Sequence, residues 1–101
     1  MKPFIIGEPF GKHPTLVFSK DQLREINITP GKFVDELDSI IDDAYIIGYH
    51  TQDQYVHEAG EIQIKTLVCV DFEWFNPFNE SDAEYILDQY KFIINEYYKK
   101  M

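Results

Sequence analysis

Three histidines, one cysteine and a crowd of carboxylates are the side chains of this sequence that could do chemistry. His13, His50 and His57 could ligate a metal ion, with Asp53, Glu58 or Asp71 completing the donor set, because imidazole and carboxylate are ordinary zinc ligands. Their spacing fits neither a His-Glu-x-x-His helix nor a paired Cys/His arrangement, so the expectation is no metal and no cofactor, with the histidines at the surface or half-buried. Cys69 would be a nucleophile only beside a base or a helix N-terminus that lowered its pKa, and neither flanks it in the sequence. Asp71 and Glu73 are two residues apart, which puts both carboxylates on one face of a strand at a spacing usable for acid–base work. In a chain with 18 acidic residues such a pair is expected by chance. The glycines at 7, 11, 31, 48 and 60 make no phosphate-binding loop. No catalytic residues are expected, and a small ligand-binding, metal-binding or enzymatic site near His50, His57 and Asp71 stands as the alternative.

What the chemistry-bearing residues do carry is charge. The formal net charge is −9, and residues 35–90 hold fourteen carboxylates against the single lysine Lys65. Such a field repels nucleic acid and anionic lipid and attracts basic proteins. Asp35, Glu36, Asp38, Asp42 and Asp43 recur along one predicted helix, and a row of that kind can imitate a run of phosphates; a solvated helix face is the plainer reading. The expected function is therefore a small acidic protein-binding module that inhibits or neutralises a basic partner, such as a nuclease or another nucleic-acid-binding protein. Nuclease immunity proteins and phage-encoded anti-defence inhibitors are the general type, by size and charge alone. The expected contact residues are Asp35, Asp38, Asp42, Asp71 and Glu73 as charges, with Leu67, Phe75 and Phe78 as apolar anchors. A structural homo-oligomer, zipped by an edge strand or by the Tyr97–Tyr98 end of the last helix, is a further alternative.

The elements that must position these residues follow from hydrophobic period. Glu61 to Phe75 alternates apolar and polar over its whole length, with Ile62, Ile64, Thr66, Val68, Val70, Phe72 and Trp74 on one face and Glu61, Gln63, Lys65, Leu67, Cys69, Asp71 and Glu73 on the other. This is a long strand with one face in the core and one open, which favours an antiparallel sheet. On the open face, Leu67 and Cys69 make a weakly apolar centre between polar ends, the anatomy of an interface. Thr29 and Pro30 start a helix over about 30–43, whose buried stripe is Phe33, Val34, Leu37, Ile40, Ile41 and Ala44. A capping box of Ser81 and Glu84 starts a second helix over about 82–98, with Ile86, Leu87, Tyr90, Ile93, Ile94 and Tyr97 inward. Thr15–Phe18 reads as a strand, and Ser19 with Gln22 as a capping box on a short helical turn. Tyr45–His50 and Gln54–His57 read as two strands joined by a turn at 51–53, and Ala59-Gly60 as the next turn. Residues 1–14, with three prolines and two glycines, read as an extended arm with an edge strand at Phe4–Ile6.

Together these predict one acidic α+β domain over residues 1–101: an antiparallel sheet of about four or five strands with two amphipathic helices on one face. No apolar run approaches the ~20 residues of a membrane span, nothing reads as a signal peptide, and one cysteine cannot form an internal disulfide. The expected compartment is the cytoplasm.

Overall fold

A computed structural model describes residues 2–101. Four strands form one antiparallel sheet in the order β1-β2-β4-β3: β1 (Phe4–Ile6), β2 (Thr15–Ser19), β3 (Ala44–Glu58) and β4 (Glu61–Trp74). Three helices, α1 (Lys20–Glu25), α2 (Pro30–Ile40) and α3 (Glu80–Lys99), complete the chain. The predicted α+β architecture is the one observed. No helix among the described residues is long and apolar enough to cross a membrane.

The core lies between one face of the sheet and the helices. Leu16 and Phe18 of β2 and Val68, Val70, Phe72 and Trp74 of β4 point into it. They meet Phe33, Val34 and Leu37 of α2 and Ile86, Tyr90, Ile93 and Ile94 of α3. Its centre is aromatic: the Phe18 ring lies 4.9 Å from Phe33 and 5.0 Å from Tyr90. The alternation of β4 dictates this layering, because burying its even residues leaves its odd residues on the side without helices.

Several local expectations are corrected. The 51–53 turn does not exist: β3 runs unbroken from Ala44 to Glu58 and pairs with β4 along its length, Thr51 opposite Val68 and Gln52 opposite Leu67. The polar run there marks exposure rather than a bend, and none of its residues takes a positive φ. The chain reverses at Ala59 (φ 51°) and Gly60 (φ 79°), the left-handed pair that a two-residue hairpin loop requires. The first long helix ends at Ile40, and Ile41 is already extended (ψ 122°). Ile41 and Ala44 are buried, but from the connection and from β3, so Asp42 and Asp43 lie beyond the helix and carry less of the dipole penalty. The last helix is capped by Asn79 and Asp82, not Ser81 and Glu84: Asn79 Oδ1 accepts from the Asp82 amide at 3.2 Å, and the Asn79 amide donates to Asp82 Oδ2 at 3.0 Å. Ser19 caps α1 by accepting from the Asp21 amide, while Gln22 donates to Glu25 and closes no box.

The largest departure is in β4 itself. Ile62 and Ile64, expected in the core, are 64 % and 61 % exposed. Of β4, strand β2 pairs with Leu67–Asp71 alone, so residues 53–66 form a two-stranded ribbon that runs past the helix layer. On that ribbon the inward-pointing residues have nothing above them.

Segment 8–14 is not a free arm. The Phe10 amide donates to Phe78 O at 2.8 Å, the Phe78 amide to Gly11 O at 2.9 Å, and the Trp74 amide to Lys12 O at 2.7 Å. This stitching holds β1 alongside β2, with Phe4 opposite Val17 and Ile6 opposite Thr15.

Candidate functional site

The sheet face without helices is the candidate interface. Strand register places its side chains in rows that cross the sheet. One row runs Phe4–Val17–Cys69–His50, the next Ile6–Thr15–Asp71–Gly48, and the end of the face pairs Glu73 with Tyr45. Val17, Leu67 and Cys69 form a small buried cluster in the middle. The expected anchor role of Leu67 is corrected here: it is 9 % exposed and clusters with Val17 and Cys69. It is floor, not knob.

Around this floor lie the groups a partner would touch. Phe4 and Ile6 on β1 are 42 % and 58 % exposed, large for apolar side chains in a sheet. They border a shallow groove of about 380 Å³ that is also lined by Thr15, Val17, His50, Gln52, Cys69 and Asp71. The Thr15 hydroxyl donates to Asp71 Oδ1 at 2.7 Å. His50 Nδ1 stands 3.6 Å from Asp71 Oδ2, beyond hydrogen-bond distance. At the end of the face the Tyr45 hydroxyl donates to Glu73, which raises the phenol above its ordinary pKa, and the exposed Phe75 ring lies 5.8 Å from Tyr45.

Of the predicted contact residues, the structure puts Asp71 and Glu73 side by side on the open face, with Phe75 against Tyr45 at its end, while Leu67 lies farther along β4. It separates the rest. Asp35 and Asp38 are exposed on α2, in the layer on the opposite side of the sheet, and Asp42 lies in the connection to β3. One flat partner cannot meet both sets, so the expected single negative side is replaced by two separate acidic surfaces. Phe78 is 6 % exposed and stacks edge-on against Trp74 at 5.5 Å, which makes it a core residue rather than an anchor.

The alternative site near His50, His57 and Asp71 is divided as well. His50 is opposite Cys69 and His57 opposite Ile62, so the two imidazoles project from opposite faces of β3. Seven strand positions separate them by about 23 Å. His13 is exposed in the segment leading into β2. No group of three metal-donor side chains gathers among the described residues. His50 does lie cross-strand from Cys69, the neighbour a cysteine nucleophile needs. The thiol is nevertheless pushed up, first by burial and then by the Asp71 carboxylate, which is the wrong direction for a thiolate.

Thr15, Gly48, Phe4, Ile6 and Tyr45 escaped the sequence reading because register decides what faces Asp71 and Glu73. Only Gly48 left a signal: a glycine inside a strand pattern marks a bulge or a close approach. The register does shift between Ile46 and Gly48.

Compared with known protein families, curated proteins and solved structures, the chain matches none.

Proposed function

We propose that this chain is a small acidic protein-binding module that docks a basic partner on the open face of its sheet and neutralises it there. The observation that carries the reading is a helix-free face on which Asp71 and Glu73 stand beside exposed Phe4, Ile6, Tyr45 and Phe75. A net charge of −9 steers a cationic surface toward it. Apolar side chains beside two carboxylates supply both contact area and selectivity for that partner. The inhibitory role follows from the same chemistry, since a basic site covered by such a face is closed to its anionic substrate.

The test is affinity capture from native cytosol with two charge-reversed forms. Asp71→Lys with Glu73→Lys is expected to lose the captured basic protein, which high salt releases from the parent chain. Asp35→Lys with Asp38→Lys, on the opposite layer, is expected to retain most of it. Equal capture by both forms removes the open face from consideration.

A specific observation favours a second reading, a homo-oligomer. Tyr55, Ile62 and Ile64 are 68 %, 64 % and 61 % exposed on the projecting ribbon, whose β3 edge has no strand beside it among the described residues. Two copies pairing along β3 would bury this row and remove that edge. Light scattering decides it: a mass of 12.0 kDa at high concentration excludes the oligomer.

A further inference from the structure

We propose that the row Thr15–Asp71–Gly48 is a socket for one basic side chain of the partner. The inference rests on the protein-binding reading above and names the contact at its centre. Three observations converge on the same point of the open face.

First, Asp71 is held and yet open. Thr15 fixes Oδ1 by a 2.7 Å hydrogen bond, while Oδ2 has the His50 ring at 3.6 Å, beyond hydrogen-bond distance. A carboxylate oriented by one donor, with an oxygen left for another, is preorganised to accept a charge-assisted hydrogen bond. Glu73, the neighbouring carboxylate on β4, is already engaged by Tyr45.

Second, the neighbour of Asp71 on β3 has no side chain. Gly48 is paired with Asp71, and a Cβ built at Gly48 would meet no atom within 4 Å. The space beside the carboxylate is therefore open toward the β3 edge. The bulge between Ile46 and Gly48 bends the strand at this place, and bulges re-aim neighbouring groups.

Third, the groove has the right lining for the rest of such a side chain. Lysine and arginine carry an apolar stem behind a charged head. Val17 and Cys69 offer an apolar floor beside Asp71, and Phe4 and Ile6 form an exposed apolar shoulder. An anionic or a purely apolar occupant would leave Asp71 facing like charge or desolvated without a partner.

The test uses a hexa-arginine peptide titrated into the full chain at about 0.15 M salt, where the Debye length of about 8 Å suppresses diffuse attraction. Binding is followed residue by residue through backbone amide NMR shifts. Saturable shifts are expected at Thr15, Gly48, His50 and Asp71. Asp71→Asn is expected to weaken binding by about tenfold or more, as loss of a central contact does. It should outdo the double change Asp35→Asn with Asp38→Asn, which removes twice the charge. Two charge-neutral variants separate a socket from a field: Thr15→Val frees the carboxylate, Gly48→Val fills the space beside it, and each is expected to weaken binding severalfold. Thermal melts of each variant identify any that fail to fold, and the remaining members of the set still decide the question. Saturable binding that ignores Asp71, Thr15 and Gly48 overturns the socket and leaves the module standing. The absence of saturable shifts on every face overturns both.

Discussion

Tyr55 and Ile64 stand directly opposite one another on the β3–β4 ladder, 68 % and 61 % exposed, on the same face of the sheet that buries Val70 and Phe72 farther along. The two strands continue past the helices, so a pattern that means core at one end of β4 means surface at the other. Apolar area kept in water brings no folding free energy. Replacing Ile62 and Ile64 together with threonine is therefore expected to change unfolding stability by less than ~1 kcal/mol, whereas Val70→Thr in the core destabilises clearly. Urea denaturation of the three forms checks this, and a large loss from the ribbon pair would show that these residues are covered in the folded state.

Phe78 provides the converse case. It was a candidate anchor by sequence, yet it is buried against Trp74 and ties segment 8–14 to the end of β4. Phe78→Ala is expected to cost about 3–5 kcal/mol, the range for deleting a buried phenyl ring. Phe75→Ala, whose ring is 53 % exposed, is expected to leave stability nearly unchanged and to affect only binding. Denaturant midpoints of the two variants separate the roles.

The Tyr90 ring packs against Phe18 and Phe33, and its buried hydroxyl has no hydrogen-bond partner among the described residues. An orphaned polar group costs on the order of 1–3 kcal/mol, so Tyr90→Phe is expected to stabilise the fold by about 1 kcal/mol. The pH dependence follows from the same burial, which pushes the phenol up to about 12. The folded state then holds its proton above the ordinary value of 10.0, so the unfolded chain loses it first as pH rises. The contribution is complete below pH 10 and falls away between pH 10 and about 12. Thermal melts across that window should show a decline that is smaller in Tyr90→Phe.

Cys69 is shielded by burial and by Asp71, both of which disfavour the thiolate. Alkylation by iodoacetamide at neutral pH is expected to be much slower than for an exposed peptide thiol. Asp71→Asn is expected to speed it, because the repelling charge is gone while the burial remains. Rapid labelling of the parent chain would mean that the open face breathes or that the thiol is activated.

The hairpin loop contains a correctable strain. Ala59 sits at φ 51°, a region that favours glycine and asparagine over alanine. Ala59→Asn is expected to stabilise the ribbon by about 0.5–1 kcal/mol and Ala59→Val to destabilise it. Amide hydrogen exchange of the paired residues Val56 and Gln63 gives the local readout.

The α+β class, the run of β4, the existence of α2 and α3 and the Ala59-Gly60 reversal were all legible in the amino-acid order, because period, caps and turn residues are local properties. Ser81 and Glu84 misled only because Asn79 offers a better oxygen two residues earlier. Residues 51–53 misled because polarity accompanies exposure as well as turning. The candidate site was half legible: Asp71 and Glu73 share a face by strand alternation alone. That Thr15 and Gly48 are their neighbours, that Leu67 is floor, that Phe78 is core and that Asp35 and Asp38 lie on the other side of the sheet were decided by tertiary structure. The reason is physical. A sequence states which side of its own element each residue occupies, whereas register, layer order and the point where the helices stop covering the sheet arise only when distant segments pack.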